Sequence, residues 1–338
     1  MRWLTVTSVL VLAIVLAGHR VVLAQQSGEL VSVLRPGPLP GADPFDPAWD
    51  GAPAVDIPLG PQAMAVPSLL KLSIPTVRVR SVNNGQEVAF LLEWSDDTRD
   101  DLVVAGDQFR DAAAIQFPVG QKLPNICMGS AGQLVNIWYW KADWQRDIDL
   151  GYQELLQQYP NFFKDFYPGG ISGSPPYTYP EDFDRPEVRQ FQVGWAAGNP
   201  FSIPRRSSPI EELKAVGFGS LTHKDRQTVS GRGVWRDGKW RVVFVRRLAA
   251  PDGESVDLRR DQVPVAFAVW NGSNQEVGAR KQLSGFYTLR IQGQERILGI
   301  PRDYLPAGLA VVVVLLGVGV GLLLRRRIPG RREDGRGG

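Results

Sequence analysis

Between Asn125 and Trp144 the chain reads N-I-C-M-G-S-A-G-Q-L-V-N-I-W-Y-W-K-A-D-W. A methionine and two glycines are followed by four bulky aromatics, with Lys141 and Asp143 at the rim. A thioether beside small residues lets a flat ligand approach the backbone, and indoles behind it supply an apolar wall. The same residues also suit a tryptophan-rich core strand, and the stretch by itself leaves both readings open.

The rest of the inventory narrows the chemistry. Cys127 is the single cysteine, so no internal disulfide forms. Without a C-x-x-C-H motif no c-type haem can be attached covalently, and the default for Cys127 is a buried free thiol. His19 lies in the amino-terminal apolar run, which leaves His223 as the one histidine of the rest. A site needing two imidazoles, a zinc cluster, a Ser-His-Asp triad and a phosphate loop are all excluded.

These residues sit between two apolar ends. Residues 1–24 carry Arg2, an apolar run from Trp3 to Ala17 and Val22-Leu23-Ala24, which reads as a cleavable secretory signal peptide, with an uncleaved anchor as the alternative. Tyr304 to Leu324 lacks any charge and stops at Arg325-Arg326-Arg327, so 304–324 is expected to be a transmembrane helix and 325–338 a basic cytoplasmic tail. The main domain is then extracytoplasmic, on the periplasmic or outer face of a single-pass protein. Its own charge is mildly acidic, because the basic excess lies in the two ends. The pI near 9.0 therefore says nothing about nucleic acid, for which no basic patch with interleaved aromatics exists.

After a Pro/Gly-rich leader at 25–42, residues 43–303 show short strands with turn punctuation. Val55–Leu59 is the expected first strand. Thr76–Val82 and Glu87–Trp94 flank Asn83-Asn84-Gly85, and Gly231–Trp235 and Trp240–Arg246 flank Asp237-Gly238, two hairpin signatures. Val263–Trp270 and Phe286–Ile291 complete a mainly β domain, expected to be an antiparallel β-sandwich. One helix is predicted from Ser208-Pro209-Ile210-Glu211, a capping pattern, to a stop at Gly217. Between about 145 and 207 the chain is irregular and aromatic, either an excursion covering a site or partner surface, or a plain loop.

Several ordered blocks carry a resemblance. They are D-P-A-W-D at 46–50, L-L-E-W-S-D-D-T at 91–98, D-A-A-A-I-Q-F-P at 111–118, the M-G and V-N-I-W-Y-W-K-A-D-W blocks, G-F-G-S-L-T at 217–222, G-R-G-V-W-R-D-G-K-W-R-V-V-F at 231–244 and V-A-F-A-V-W-N-G at 265–272, followed by Gly278-Ala279-Arg280-Lys281. From about Asp46 to Gln292 the chain resembles the haem b (gamma) subunit family of type II DMSO-reductase-like molybdenum enzymes. That family includes the gamma subunit of ethylbenzene dehydrogenase and subunits of dimethyl sulfide dehydrogenase, selenate and chlorate reductases and nitrite oxidoreductase. The long 145–207 stretch and the carboxy-terminal span depart from the family's simplest members.

The resemblance implies a non-covalent haem b in a β-sandwich with methionine and lysine as axial ligands, falling on Met128 and Lys281. His223 is the alternative ligand. Trp138, Tyr139 and Trp140 alternate across a strand, so Trp138 and Trp140 are expected near the cofactor, and Arg205, Arg206 or Arg280 near its propionates. The implied role is electron relay between the iron-sulfur subunit of a molybdopterin-containing complex and a cytochrome or quinone-linked carrier, with no catalysis of its own. The rival is a membrane-anchored carbohydrate- or ligand-binding β-sandwich without haem. In that case Asp96, Asp97, Asp100 and Asp101 could hold calcium, or be a solvated acidic turn.

Overall fold

The computed structural model describes residues 28–161, 185–202, 206–260, 262–294, 296–297 and 300–301. The expected signal peptide, the transmembrane helix at 304–324, the basic tail and residues 162–184 and 203–205 of the aromatic stretch lie outside the described residues. Among those described, no helix is long and apolar enough to cross a membrane.

Strands dominate. They are β1 (Glu29–Leu34), β2 (Val55–Pro58), β3 (Gly60–Pro61), β4 (Thr76–Asn83), β5 (Glu87–Ser95), β6 (Ala112–Pro118), β7 (Val135–Lys141), β8 (Ile210–Ala215) and β9 (Thr222–His223). They continue as β10 (Ser230–Arg236), β11 (Lys239–Arg247), β12 (Gln262–Trp270), β13 (Gln282–Leu283) and β14 (Tyr287–Ile291). The longest helix, α1 (Ala142–Leu150), follows directly on β7.

One sheet runs β10-β11-β5-β4-β1-β14-β12-β6-β7-β8-β9. Both expected hairpins form. Asn84 Oδ1 accepts the N–H groups of Gln86 and Glu87 at 3.0 and 2.7 Å, and Asp237 and Gly238 take φ of 52° and 70°, the left-handed pair that a two-residue turn requires. Strand β12 joins the two halves of the sheet, pairing through Gln262–Val265 with β14 and through Ala266–Trp270 with β6.

Two expectations are corrected. The sheet is mixed, not antiparallel throughout, because β1 runs parallel to both β4 and β14. This strand comes from the stretch expected to be a leader, and Leu30 is fully buried in it. The predicted helix from Ser208 to Gly217 is strand β8, paired with β7 over Val135–Trp140 and with β9. The Ser208 hydroxyl does accept the N–H of Ile210 at 3.1 Å, but the turn leads into a ladder. There Ile210 and Leu213 bury on opposite faces and Glu211 and Glu212 find buried lysines, which outweighs the local capping signal.

Alternation decides the packing. Val88, Phe90, Leu92 and Trp94 of β5 meet Ile115 and Phe117 of β6 and Trp138 and Trp140 of β7 in the main core. Phe90 packs with ring centroids 6.0 Å from Phe117 and 5.9 Å from Trp138, so the two halves of the sheet face one another. The other face of β6, β7 and β8 is apolar too: Ala112, Ala114, Val135, Ile137, Leu213 and Ala215 form a second cluster with Cys127, Met128 and Trp270. A strand buried on both faces implies a covering layer, and here the layer is made of loops. Phe90→Ala removes the ring that bridges the halves and is expected to cost about 3–5 kcal/mol in denaturant unfolding; a loss below about 1 kcal/mol contradicts this packing.

Candidate functional site

The covering loops bring the two predicted ligand residues together. Asn125 Oδ1 accepts the N–H of Cys127 at 2.9 Å, and the chain then turns through Met128 and Gly129 at φ of 62° and 85°. A side chain at Gly129 would press to 2.8 Å of the Gln133 carbonyl, so glycine is required there. Met128 is not glycine, and its left-handed backbone costs about 1–3 kcal/mol where nothing compensates it. Its carbonyl accepts the N–H of Gly217 at 2.9 Å, and Gln116 Nε2 ties down the Ile126 carbonyl at 3.0 Å. The surroundings thus hold the thioether in one place, over the outer face of β6–β8.

Lys281 arrives from the opposite side. Gln62 grips its backbone, donating N–H to the Lys281 carbonyl at 3.0 Å and Nε2 to the Ala279 carbonyl at 2.9 Å. A cavity of about 300 Å³ opens between them, lined by Met128, Ile137, Tyr139, Leu213, Phe218, Leu221, Trp270, Gly278, Ala279 and Lys281. Beside it a hollow of about 30 Å³ also reaches Lys281, between Ala114, Ile137 and Trp270. The small side chains of Ala112 and Ala114 give the wall its depth.

The lysines sort the chemistry. Lys141, Lys224 and Lys281 are all buried. Lys141 donates to Glu211, and Lys224 donates to Glu212, Asp252 and Ser255. The Lys281 amine makes no hydrogen bond or ion pair among the described residues; its Nζ stands 5.1 Å from the centre of the Trp270 ring. Burial pushes its amine below the usual lysine range, only partly opposed by nearby Cys127. A buried, unpaired amine beside a thioether in an apolar cavity is a donor set that fits the iron of a flat apolar cofactor such as haem.

The other expected residues divide. Trp138 and Trp140 are fully buried in the main core, on the face of β7 turned away from the cavity, and Tyr139 takes the place on the cavity wall. The tyrosine ring stacks at 4.9 Å on Trp270. Alternation signalled that one set faces the site, but with both faces apolar it did not say which. His223 pairs with Leu213 on the same side but sits outside the lining, with Nδ1 2.8 Å from Glu211 Oε1. Arg206 bonds to Asp147 at 3.2 Å, away from the cavity, and Arg205 lies outside the described residues. Leu213, Phe218, Leu221 and Trp270 escaped the sequence reading because they come from β8, the loop after it and the end of β12, which only the fold brings together.

The family model described as ethylbenzene dehydrogenase matches residues 46–282. A Haloferax mediterranei protein, provisionally named as a respiratory nitrate reductase heme subunit, is 29% identical over 72% of this chain and 66% of its own. The dimethylsulfide dehydrogenase subunit gamma of Rhodovulum sulfidophilum is 30% identical over 57% of this chain and 51% of its own. The chlorate reductase subunit gamma of Ideonella dechloratans is 23% identical over 74% and 80%. The chain thus spans under two thirds of the length of the first two. Among solved structures, a carbohydrate-binding protein from Bacteroides uniformis covers 79% of this chain and 100% of its own at 10% identity, but its TM-score of 0.40 is too low to carry an argument.

Lys141 supplies a pH test of the cavity's edge. Burial lowers its amine from 10.5 to about 7 despite Glu211, so between those values the unfolded chain holds the proton and the folded chain does not. Stability from this group therefore rises with pH across that window. Lys141→Met is expected to flatten the rise in denaturation midpoint between pH 7 and 10, and a wild-type profile already flat there contradicts the assignment.

Proposed function

The chain belongs to the ethylbenzene dehydrogenase family, and on that premise we propose that it is the haem-carrying, electron-transfer subunit of a molybdenum oxidoreductase complex. One observation supports this above the rest: the buried lysine without a carboxylate and the methionine in a left-handed turn line the same apolar cavity. The names of the relatives, a nitrate reductase heme subunit and two gamma subunits, point the same way.

In this reading Met128 and Lys281 hold a non-covalent haem b. When bound, the haem supplies a reversible one-electron site. With both residues taken up as its ligands, a bound haem would leave no open site for oxygen or substrate and would supply outer-sphere electron transfer. Burial disfavours the charge of Lys281 and so favours the neutral amine that an iron would need. Tyr139, Leu213, Phe218, Leu221 and Trp270 keep water from the flat faces of the site, which lowers the dielectric around it. Glu211 occupies Nδ1 of His223, so an iron would be met by Nε2, which stands 3.4 Å from Gln227 and outside the cavity lining.

Substrate chemistry belongs to a separate molybdopterin subunit, electrons arrive from or leave to an iron-sulfur subunit, and a cytochrome or quinone-linked carrier completes the path. The expected signal and carboxy-terminal span hold the domain on the extracytoplasmic face of the membrane.

The experiment is haem quantification on the full chain, purified in detergent from a haem-replete host. One b-type haem per chain is expected, released by acidified acetone, with sharp low-spin bands on reduction that carbon monoxide does not shift. A folded, colourless chain rejects the cytochrome reading and leaves a binding module; a carbon monoxide complex rejects the closed axial pair.

A further inference from the structure

Outside the lining of the ligand cavity, where β5 ends and β6 begins, three carboxylates converge. One oxygen each of Asp96, Asp100 and Asp111 lies within 4.8 Å of the others. Asp111 is fully buried. Its Oδ2 accepts Trp240 Nε1 at 2.9 Å and the N–H of Asp100 at 2.7 Å, and its Oδ1 accepts the N–H of Gly272 at 2.9 Å. Asp96 is 4% exposed; Thr98 donates to its Oδ1 at 3.2 Å, while Oδ2 is buried with no donor in good hydrogen-bonding geometry, the nearby indole N–H of Trp94 being itself unsatisfied.

That orphaned oxygen is the second, separate observation. A buried acceptor without a donor costs about 1–3 kcal/mol, more when charged. No lysine, arginine or histidine among the described residues forms an ion pair with any of the three, while neighbouring Asp101 takes Arg99 at 2.7 Å and Arg146 at 3.7 Å. The basic side chains in reach are thus committed elsewhere. The cluster lacks positive charge.

We propose that Asp96, Asp100 and Asp111 form a binding site for a divalent hard cation, calcium in preference to softer metals. All three donors are oxygens, with no thiolate or imidazole beside them, and calcium accepts irregular oxygen shells completed by carbonyls and water. Of the four aspartates singled out in the sequence, Asp97 is exposed and Asp101 is taken by arginines, and the third ligand is Asp111, distant in sequence. The ion would tie the 96–111 loop to Gly272. That glycine begins the segment leading from Trp270 to Lys281, so the site also braces one wall of the ligand cavity. The assignment does not depend on the haem reading.

The test uses the full chain, stripped with EDTA and titrated with terbium under tryptophan excitation, then with calcium. Expected is saturable sensitised emission at one ion per chain, displaced by calcium, with a raised thermal midpoint in calcium. Asp96→Asn and Asp100→Asn are each expected to weaken calcium at least about tenfold, by removing ligand charge, while Asp97→Asn binds as wild type. Asp100 is only half-buried, so Asp100→Asn decides the matter if the Asp96 variant does not fold. No saturable binding overturns the site and leaves a shared proton between the carboxylates. Undiminished binding in Asp100→Asn, or loss in Asp97→Asn, overturns it equally.

Discussion

Strands β6, β7 and β8 are buried on both faces along nearly their whole length, and the rest of the molecule answers to that constraint. One face is closed by the other half of the same sheet, through Phe90, Phe117 and Trp138. The other face has no second sheet to meet. Loops must close it, and loops carry backbone polar groups that need partners. Gln116 on the Ile126 carbonyl and Gln62 on the Ala279 carbonyl meet that need. What results is a lined cavity in place of a packed core.

Within that cavity the unpaired lysine is the costly element. Lys141 and Lys224 show how this protein treats a buried amine when stability alone is at stake: each is given carboxylates. Lys281 is given an indole face and apolar walls. A charge held that way disfavours folding, so its retention points to a ligand that takes the neutral amine. The left-handed Met128 on the facing loop is a second local cost at the same place, and the two together locate the function better than either does separately.

Local chemistry was legible in the sequence wherever it acted alone. Asn84-Gly85 and Asp237-Gly238 specify their hairpins through left-handed residues and an Asx bond. Non-local pairing was not legible. The parallel placement of Glu29–Leu34 depends on partners about fifty and about 260 residues away in sequence, and nothing in that segment encodes them. Ser208-Pro209-Ile210-Glu211 has a sound capping signal that lost to the ladder with β7. The phase of Trp138, Tyr139 and Trp140 was hidden because both faces of β7 are apolar. Met128 and Lys281 came from a resemblance, while their convergence on one cavity is a finding of the fold.

The central claim is that one iron is held by Met128 and Lys281 at once. The most direct measurement is near-infrared magnetic circular dichroism of the oxidised, haem-loaded chain beside Met128→Ala and Lys281→Ala. The ligand-to-metal band reports the axial pair. The account predicts a methionine–amine band in the wild type, lost in each variant with passage to a high-spin or exchanged-ligand spectrum. An unchanged band in Lys281→Ala, with loss in His223→Ala, would contradict it and move the second ligand to the histidine.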